Sequence, residues 1–258
     1  MPGNYAHLRF GGQMRERLPE EVKPAVEKHP RFYALGTHGP DLFFFYRPLW
    51  IPHEEFLGRE YHYGDTREFF SGIVRRLGKK PKQEATAYLY GLLTHYALDS
   101  VCHPYIKKAE AEGIAGHVQM ETEFDRLLLE KDGLLLPKPH FSVEHLKLSR
   151  ADCALLKEFY PKATMAQIRE SVITMRCLQK AFLFRRGKMA EWVKAMLGGK
   201  FSQYILTPQP DAQCAATNQR LLELTEQASR RFPILSEKLY EHTVRNTPLG
   251  EEFDPVFG

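Results

Sequence analysis

The chain has 258 residues, 43% hydrophobic and 26% charged, an ordinary globular composition long enough for a sizeable core. Lys and Arg outnumber Asp and Glu by 36 to 32, a mildly basic balance that favours an anionic substrate without requiring nucleic acid. Cys102, Cys153, Cys177 and Cys214 show no CxxC pairing, which argues against a disulfide framework or a thiolate zinc site and for free buried thiols in a reducing compartment.

The opening MPGNYAHLRFGG has no basic segment leading into an apolar one, and no run reaches the roughly 18 apolar residues of a membrane span. A cytoplasmic protein without a transmembrane segment is the expectation. QMRERLPEEVKPAVEKH then reads as helix interrupted at Pro19 and Pro24. Residues 34–65, rich in Gly, Pro and aromatics, read as loop. DTREFFSGIVRRL opens on an Asp/Thr cap and repeats apolar residues at helical spacing. PKQEATAYLYGLLTHYALDSVCH reads as a long helix beginning at Pro81, with Pro104 expected to bend or end it at His103. GHVQMETEFDRLLLEKDG is a helix bounded by glycines, and residues 132–141 a loop. TMAQIRESVITMRCLQKAFLF and KMAEWVKAML continue the helical pattern. A loop at 202–211 precedes DAQCAATNQRLLELTEQASRRF. Neither repeats nor sustained alternation occur. The expected fold is all-α, with about seven to nine helices in a single domain spanning 1–258.

Within LLTHYALDSVCHPY, His95, Asp99 and His103 recur every four residues. On a helix they form one stripe about 80° wide, flanked by apolar residues. A buried ionised Asp is unfavourable unless paired or bound to metal. A core His–Asp hydrogen bond explains one such pair; the third member, His103, calls for more, and at a bend it would face a different centre. His117 and Glu121 in GHVQME share a helix face at metal-pair spacing, or cap a helix. Upstream, GTHGPDLFFFY holds Asp41 after a Gly-Pro turn, next to Phe43, Phe44, Phe45 and Tyr46. His62 precedes a helix cap in GREYHYGDT, and His7 lies near the N-terminus. Singly, each has a structural explanation. Together, five histidines and three acids fall within about 115 residues. Imidazole and carboxylate without thiolate suit zinc, and eight ligands suit two or three ions.

In this order, His7, Asp41, His62, HxxxD at 95–99, His103 and HxxxE at 117–121, the sequence resembles the zinc-dependent phospholipase C family, itself related to single-strand-specific zinc nucleases. The resemblance implies an all-α fold around a zinc cluster. It implies one ion held by Asp41, His62, His95 and Asp99, and a second by His103, His117 and Glu121. A third would use His7 with a bridging Asp99, and Asp41 would also act as general base. The family's N-terminal residue ligates through its own amine; six residues precede His7 here, so the third ion lacks that ligand. His38 and His53 are spare candidates, His53 competing with His62.

The implied activity is hydrolysis of a phosphodiester by metal-activated water, on a phospholipid or a nucleotide. Phe43, Phe44, Phe45 and Tyr46 would flank a cleft, contacting a choline-like headgroup, acyl chains or bases, or else belong to the core. The basic amphipathic stretch 182–201 would offer peripheral membrane contact, or a solvated face. A nuclease or small phosphodiesterase on the same scaffold, and a catalytically weak metal-binding or interaction protein, are the alternatives. Neither HExxH nor a His-Asp dipeptide occurs. Oligomeric state is not encoded in any of these features.

Overall fold

The computed structural model describes residues 4–48, 56–135, 142–183, 206 and 208–258. Among them there is no strand, so the fold is all-α. The helices are α1 (Asn4–Met14), α2 (Lys23–Lys28), α3 (Pro30–Gly36), α4 (Phe56–Tyr63), α5 (Thr66–Leu77), α6 (Gln83–Ala111), α7 (His117–Lys131), α8 (Arg150–Phe159), α9 (Met165–Leu183) and α10 (Ala215–Arg245).

Helix α6 is the axis of the fold. Its residues from Tyr88 to Ser100 are buried on every side, as a helix that is apolar all round must be. Helices α1, α2, α3, α7 and α10 pack around it. Against α3 the approach is close because glycines face each other. A Cβ on Gly91 would lie 2.1 Å from the Tyr33 carbonyl oxygen, and one on Gly36 would lie 2.3 Å from that of Tyr88. Gly91→Ala is therefore expected to wedge the two helices apart at a loss of about 1–3 kcal/mol. An unchanged urea midpoint for this variant would mean that the contact yields freely.

Local signals explain several element ends. Asp65 caps α5, its carboxylate accepting the Glu68 N–H at 2.8 Å. Ser149 and Asp152 form a reciprocal capping box at the start of α8. Asn246 ends α10 in the left-handed region at φ 59°.

Several sequence expectations need correction. Helix α6 does not end at His103 but runs through Pro104 to Ala111. The proline removes one backbone donor, and burial of Ile106 and Ala109 holds the following turns in register. Helix α10 likewise continues past Pro233 to Arg245, with Leu235 and Leu239 buried beyond it. Residues 34–65 are not simply loop: they contain the end of α3, a 3₁₀ helix at Gly39–Phe45 and α4. Helices α1 and α8 add to the expected set, giving ten α-helices among the described residues. Cys102, Cys153 and Cys214 are buried and free as expected, whereas Cys177 is exposed on α9. KMAEWVKAML, most of the 182–201 stretch and His53 lie outside the described residues. Among the described residues, no helix is long and apolar enough to cross a membrane.

Candidate metal centre

Five elements bring the predicted residues together. His7 lies in the second turn of α1, whose first N–H groups have no intrahelical partner. Asp125 of α7 takes that role, accepting from the Tyr5 N–H at 3.0 Å and the Ala6 N–H at 2.8 Å. Asp41 lies in the 3₁₀ helix, which begins at Gly39 with φ +50°. A Cβ there would also lie 2.5 Å from the His95 ring, so glycine is required twice over. His62 comes from α4, His95, Asp99 and His103 from α6, and His117 and Glu121 from the first turns of α7.

These side chains form two compact groups. Asp41, His62, His95 and Asp99 are all buried, and His103, His117 and Glu121 form the second group; within each, the candidate ligand atoms lie within 4.8 Å of one another. His62 Nε2 is 2.9 Å from Asp41 Oδ1, and His95 Nε2 is 3.0 Å from Asp99 Oδ2. In the second group, Glu121 Oε1 is 3.3 Å from His103 Nε2 and 3.1 Å from His117 Nε2. Asp99 stands between the groups. Its other oxygen lies 3.2 Å from His7 Nε2, and His103 Nδ1 is 3.8 Å from Oδ2. The His7 ring stacks on that of His95 with centroids 4.2 Å apart. His7 Nδ1 is buried without a hydrogen-bond partner.

The far side of three rings decides what the near side can do. His62 Nδ1 meets the Gly58 carbonyl at 2.7 Å, His95 Nδ1 the Thr37 carbonyl at 3.0 Å, and His103 Nδ1 the Phe257 carbonyl at 2.8 Å. A carbonyl only accepts, so each Nδ1 carries a proton, and the neutral ring turns a bare Nε2 toward a carboxylate. Two acceptors then face each other in a buried site. That arrangement needs either a second proton on the ring or a cation between the two atoms. Two ligand atoms on a tetrahedral zinc with bonds near 2.0 Å are about 3.3 Å apart, close to the separations found. His95 Nε2 and Asp99 Oδ2, although 3.0 Å apart, are not aligned as a hydrogen bond and remain buried without a partner. The residues therefore fit zinc.

The electrostatics point the same way. Burial alone would push Asp99 and Asp41 up. The surrounding imidazoles, His103 and His95 for Asp99 and His95 and His62 for Asp41, hold both carboxyls below the usual range. Glu121 is held well below its ordinary value against the same burial, with His117 and His103 beside it. In return, against burial that favours the neutral ring, Asp99 and Asp41 raise His95, and Asp99 and Glu121 push His103 up to about 9. Without metal, protons supply the positive charge that the carboxylates require.

Other candidates lie elsewhere. His38 pairs with His145, Nε2 to Nε2 at 2.7 Å, with rings stacked at 4.9 Å. Burial lowers both, His145 to about 4, so this couple is neutral and separate from the two groups. Of the four aromatics expected along a cleft, Phe43 and Phe45 belong to the buried core, and Tyr46 is buried beneath Arg47. Phe44 alone is half-buried beside the site, 4.9 Å from the His62 ring. Sequence reasoning passed over Asp125 and the carbonyls of Thr37, Gly58 and Phe257. The Glu121–Asp125 spacing, four residues along one face, was a readable sign of the first; backbone carbonyls leave none.

The profile of the family described as zinc dependent phospholipase C matches residues 6–174. No curated protein and no solved structure matches the chain significantly. The matched segment is more than half of the 258 residues and contains all seven residues of the two groups together with His7. The chain belongs to the zinc-dependent phospholipase C family.

Proposed function

We propose that the protein is a zinc-dependent phosphodiester hydrolase of phospholipase C type. Asp41, His62, His95 and Asp99 would hold one ion, and His103, His117 and Glu121 a second. His7, its Nε2 3.2 Å from Asp99, would offer a third site. The observation that carries this reading is the set of three imidazoles with Nδ1 committed to carbonyls and Nε2 turned onto carboxylates. Bound zinc supplies Lewis-acid polarisation of a phosphoryl oxygen and activation of water.

The chain's own residues do the rest. The first group is buried, whereas His117 in the second keeps 28% of its side-chain surface exposed, so substrate approaches from the α7 side. Three carboxylates against two dications leave a net charge of about +1, suited to a phosphodiester anion. Asp41 would receive the proton of the attacking water. Phe44 offers an apolar surface for a lipid headgroup or a base. The family's name implies a lipid substrate, and the mildly basic surface is compatible with peripheral contact at an anionic membrane.

Two measurements test the reading. Elemental mass spectrometry of tag-free protein should find two zinc per chain. Hydrolysis should be measured on phosphatidylcholine vesicles, bis(p-nitrophenyl) phosphate and single-stranded DNA, before and after chelation. Chelator-sensitive release of phosphocholine is the expected result. Preferential turnover of DNA would make the protein a nuclease on this scaffold. Full zinc loading without turnover of any phosphodiester would leave a metal-binding protein. No zinc even after reconstitution would remove the reading.

A further inference from the structure

The segment after α10, residues 249–258, lies beyond the part of the chain that matches the family profile, yet it reaches the candidate metal centre. It is tied down along its length. Phe253 stacks on Tyr96 of α6 with centroids 5.7 Å apart. The Glu252 carbonyl accepts from the Tyr96 hydroxyl at 3.2 Å and also from Arg231. Asp254 pairs with Arg67, and the Pro255 carbonyl accepts the Thr66 hydroxyl at 3.0 Å. Phe257 is fully buried, its ring centroid 6.0 Å from that of His62 and 5.8 Å from that of His95.

Two contacts at the end of this segment act on ligand histidines. The Phe257 carbonyl accepts the His103 Nδ1–H at 2.8 Å, and the Gly258 N–H points at the His62 carbonyl at 3.4 Å. Space there is tight. A Cβ on Gly258 would lie 2.7 Å from His103 Nδ1 and 3.6 Å from His62 Cδ2. His103 thus has its proton placed on the nitrogen facing away from Glu121, which orients the ring and selects its tautomer as an outer-shell partner does.

We propose that residues 249–258 form a positioning strap for the centre, with the Phe257 carbonyl holding the His103 ring so that Nε2 is bare toward His117 and Glu121. This inference rests on the metal reading above. It makes Phe257 and Gly258 positioning residues, since neither side chain contributes a ligand atom.

The test compares wild type with Gly258→Val, with a variant lacking residues 257–258, and with Val256→Ala, whose side chain points away into solvent. Zinc stoichiometry and competition with a chromophoric chelator give the affinity of each ion. Long-range ¹H–¹⁵N spectra of histidine-labelled protein give the His103 tautomer. Gly258→Val and the shortened chain should bind one zinc roughly 10- to 100-fold more weakly, or lose it, while retaining the other. Their His103 signal should lose its Nδ1–H signature. Val256→Ala should match wild type. Should the shortened chain fail to fold, Gly258→Val with wild-type helical circular dichroism decides the matter. Wild-type zinc affinities and an intact His103 signature in Gly258→Val overturn the strap and leave the metal reading standing. Wild type that binds no zinc overturns both.

Discussion

Asp99→Asn is expected to remove at least one zinc per chain and to destabilise the metal-free protein by about 3–5 kcal/mol at pH 6. The side chain is buried, with one oxygen 3.2 Å from His7 Nε2 and the other 3.0 Å from His95 Nε2. An amide can neither bridge two cations nor balance the imidazolium charge that accumulates when metal is absent. The pH window follows from the directions of the shifts. The depressed Asp99 contributes stability above its unfolded value of 3.8, lost only as pH falls through its lower folded value. The raised His95 and His103 contribute stability that is complete below 6.5 and lost as pH rises, for His103 through about 9. The pairing is therefore complete at pH 6 and mostly gone above pH 9. Urea unfolding of chelator-treated wild type and variant at pH 6 and pH 9.5 checks this. A penalty equal at both pH values would show that Asp99 acts through hydrogen bonding or packing and not through charge.

Zinc affinity of the wild type should rise about tenfold per pH unit between pH 7 and pH 9. Zinc needs the bare Nε2 of His103, and Asp99 and Glu121, outweighing burial, keep that ring protonated up to about pH 9. Below that value each ion bound at His103 must expel a proton, so log affinity climbs by one for each unit of pH. Calorimetry in buffers of different ionisation enthalpy should count about one proton released per zinc at pH 7.5. A pH-independent affinity without proton release would place the second ion elsewhere. The two predictions are linked. The carboxylates that draw zinc into the site also draw protons, and the acid side of the metal-binding curve measures how strongly they do so.

Much of the site was legible because its signal is periodic. His95, Asp99 and His103 at four-residue steps, and His117 with Glu121 at the same step, define helix faces whatever the tertiary structure. Pro104 as an end signal was misleading for the opposite reason. The local preference of a pre-proline residue is weak beside the burial of Ile106 and Ala109, and packing carried the helix onward. The 34–65 region looked irregular because its elements are short: a seven-residue 3₁₀ helix and an eight-residue α4 give periodicity too little length to register. Partnerships made by backbone carbonyls are invisible in side-chain identity, so the outer contacts of His62, His95 and His103 could only be seen in three dimensions. The four aromatics after Asp41 illustrate a further limit. Composition marks them as a cluster, but only the turn of the 3₁₀ helix separates Phe44 at the site from Phe43 and Phe45 in the core.

The closing contact of the centre joins residues 154 positions apart, and the cap on the helix bearing His7 joins residues 120 apart. Contacts of that range form late, because the intervening chain must first be collapsed. On a ribosome, α1 emerges with its first N–H groups bare until α7 follows, and His103 waits unrestrained until the last turn after α10 has packed. Metal loading in this geometry would thereby wait until the chain has been made through Phe257. Until then the nascent polypeptide would carry a histidine-rich helix unable to grip an ion in its final geometry, and zinc capture would report that α1, α7 and the segment after α10 have all packed.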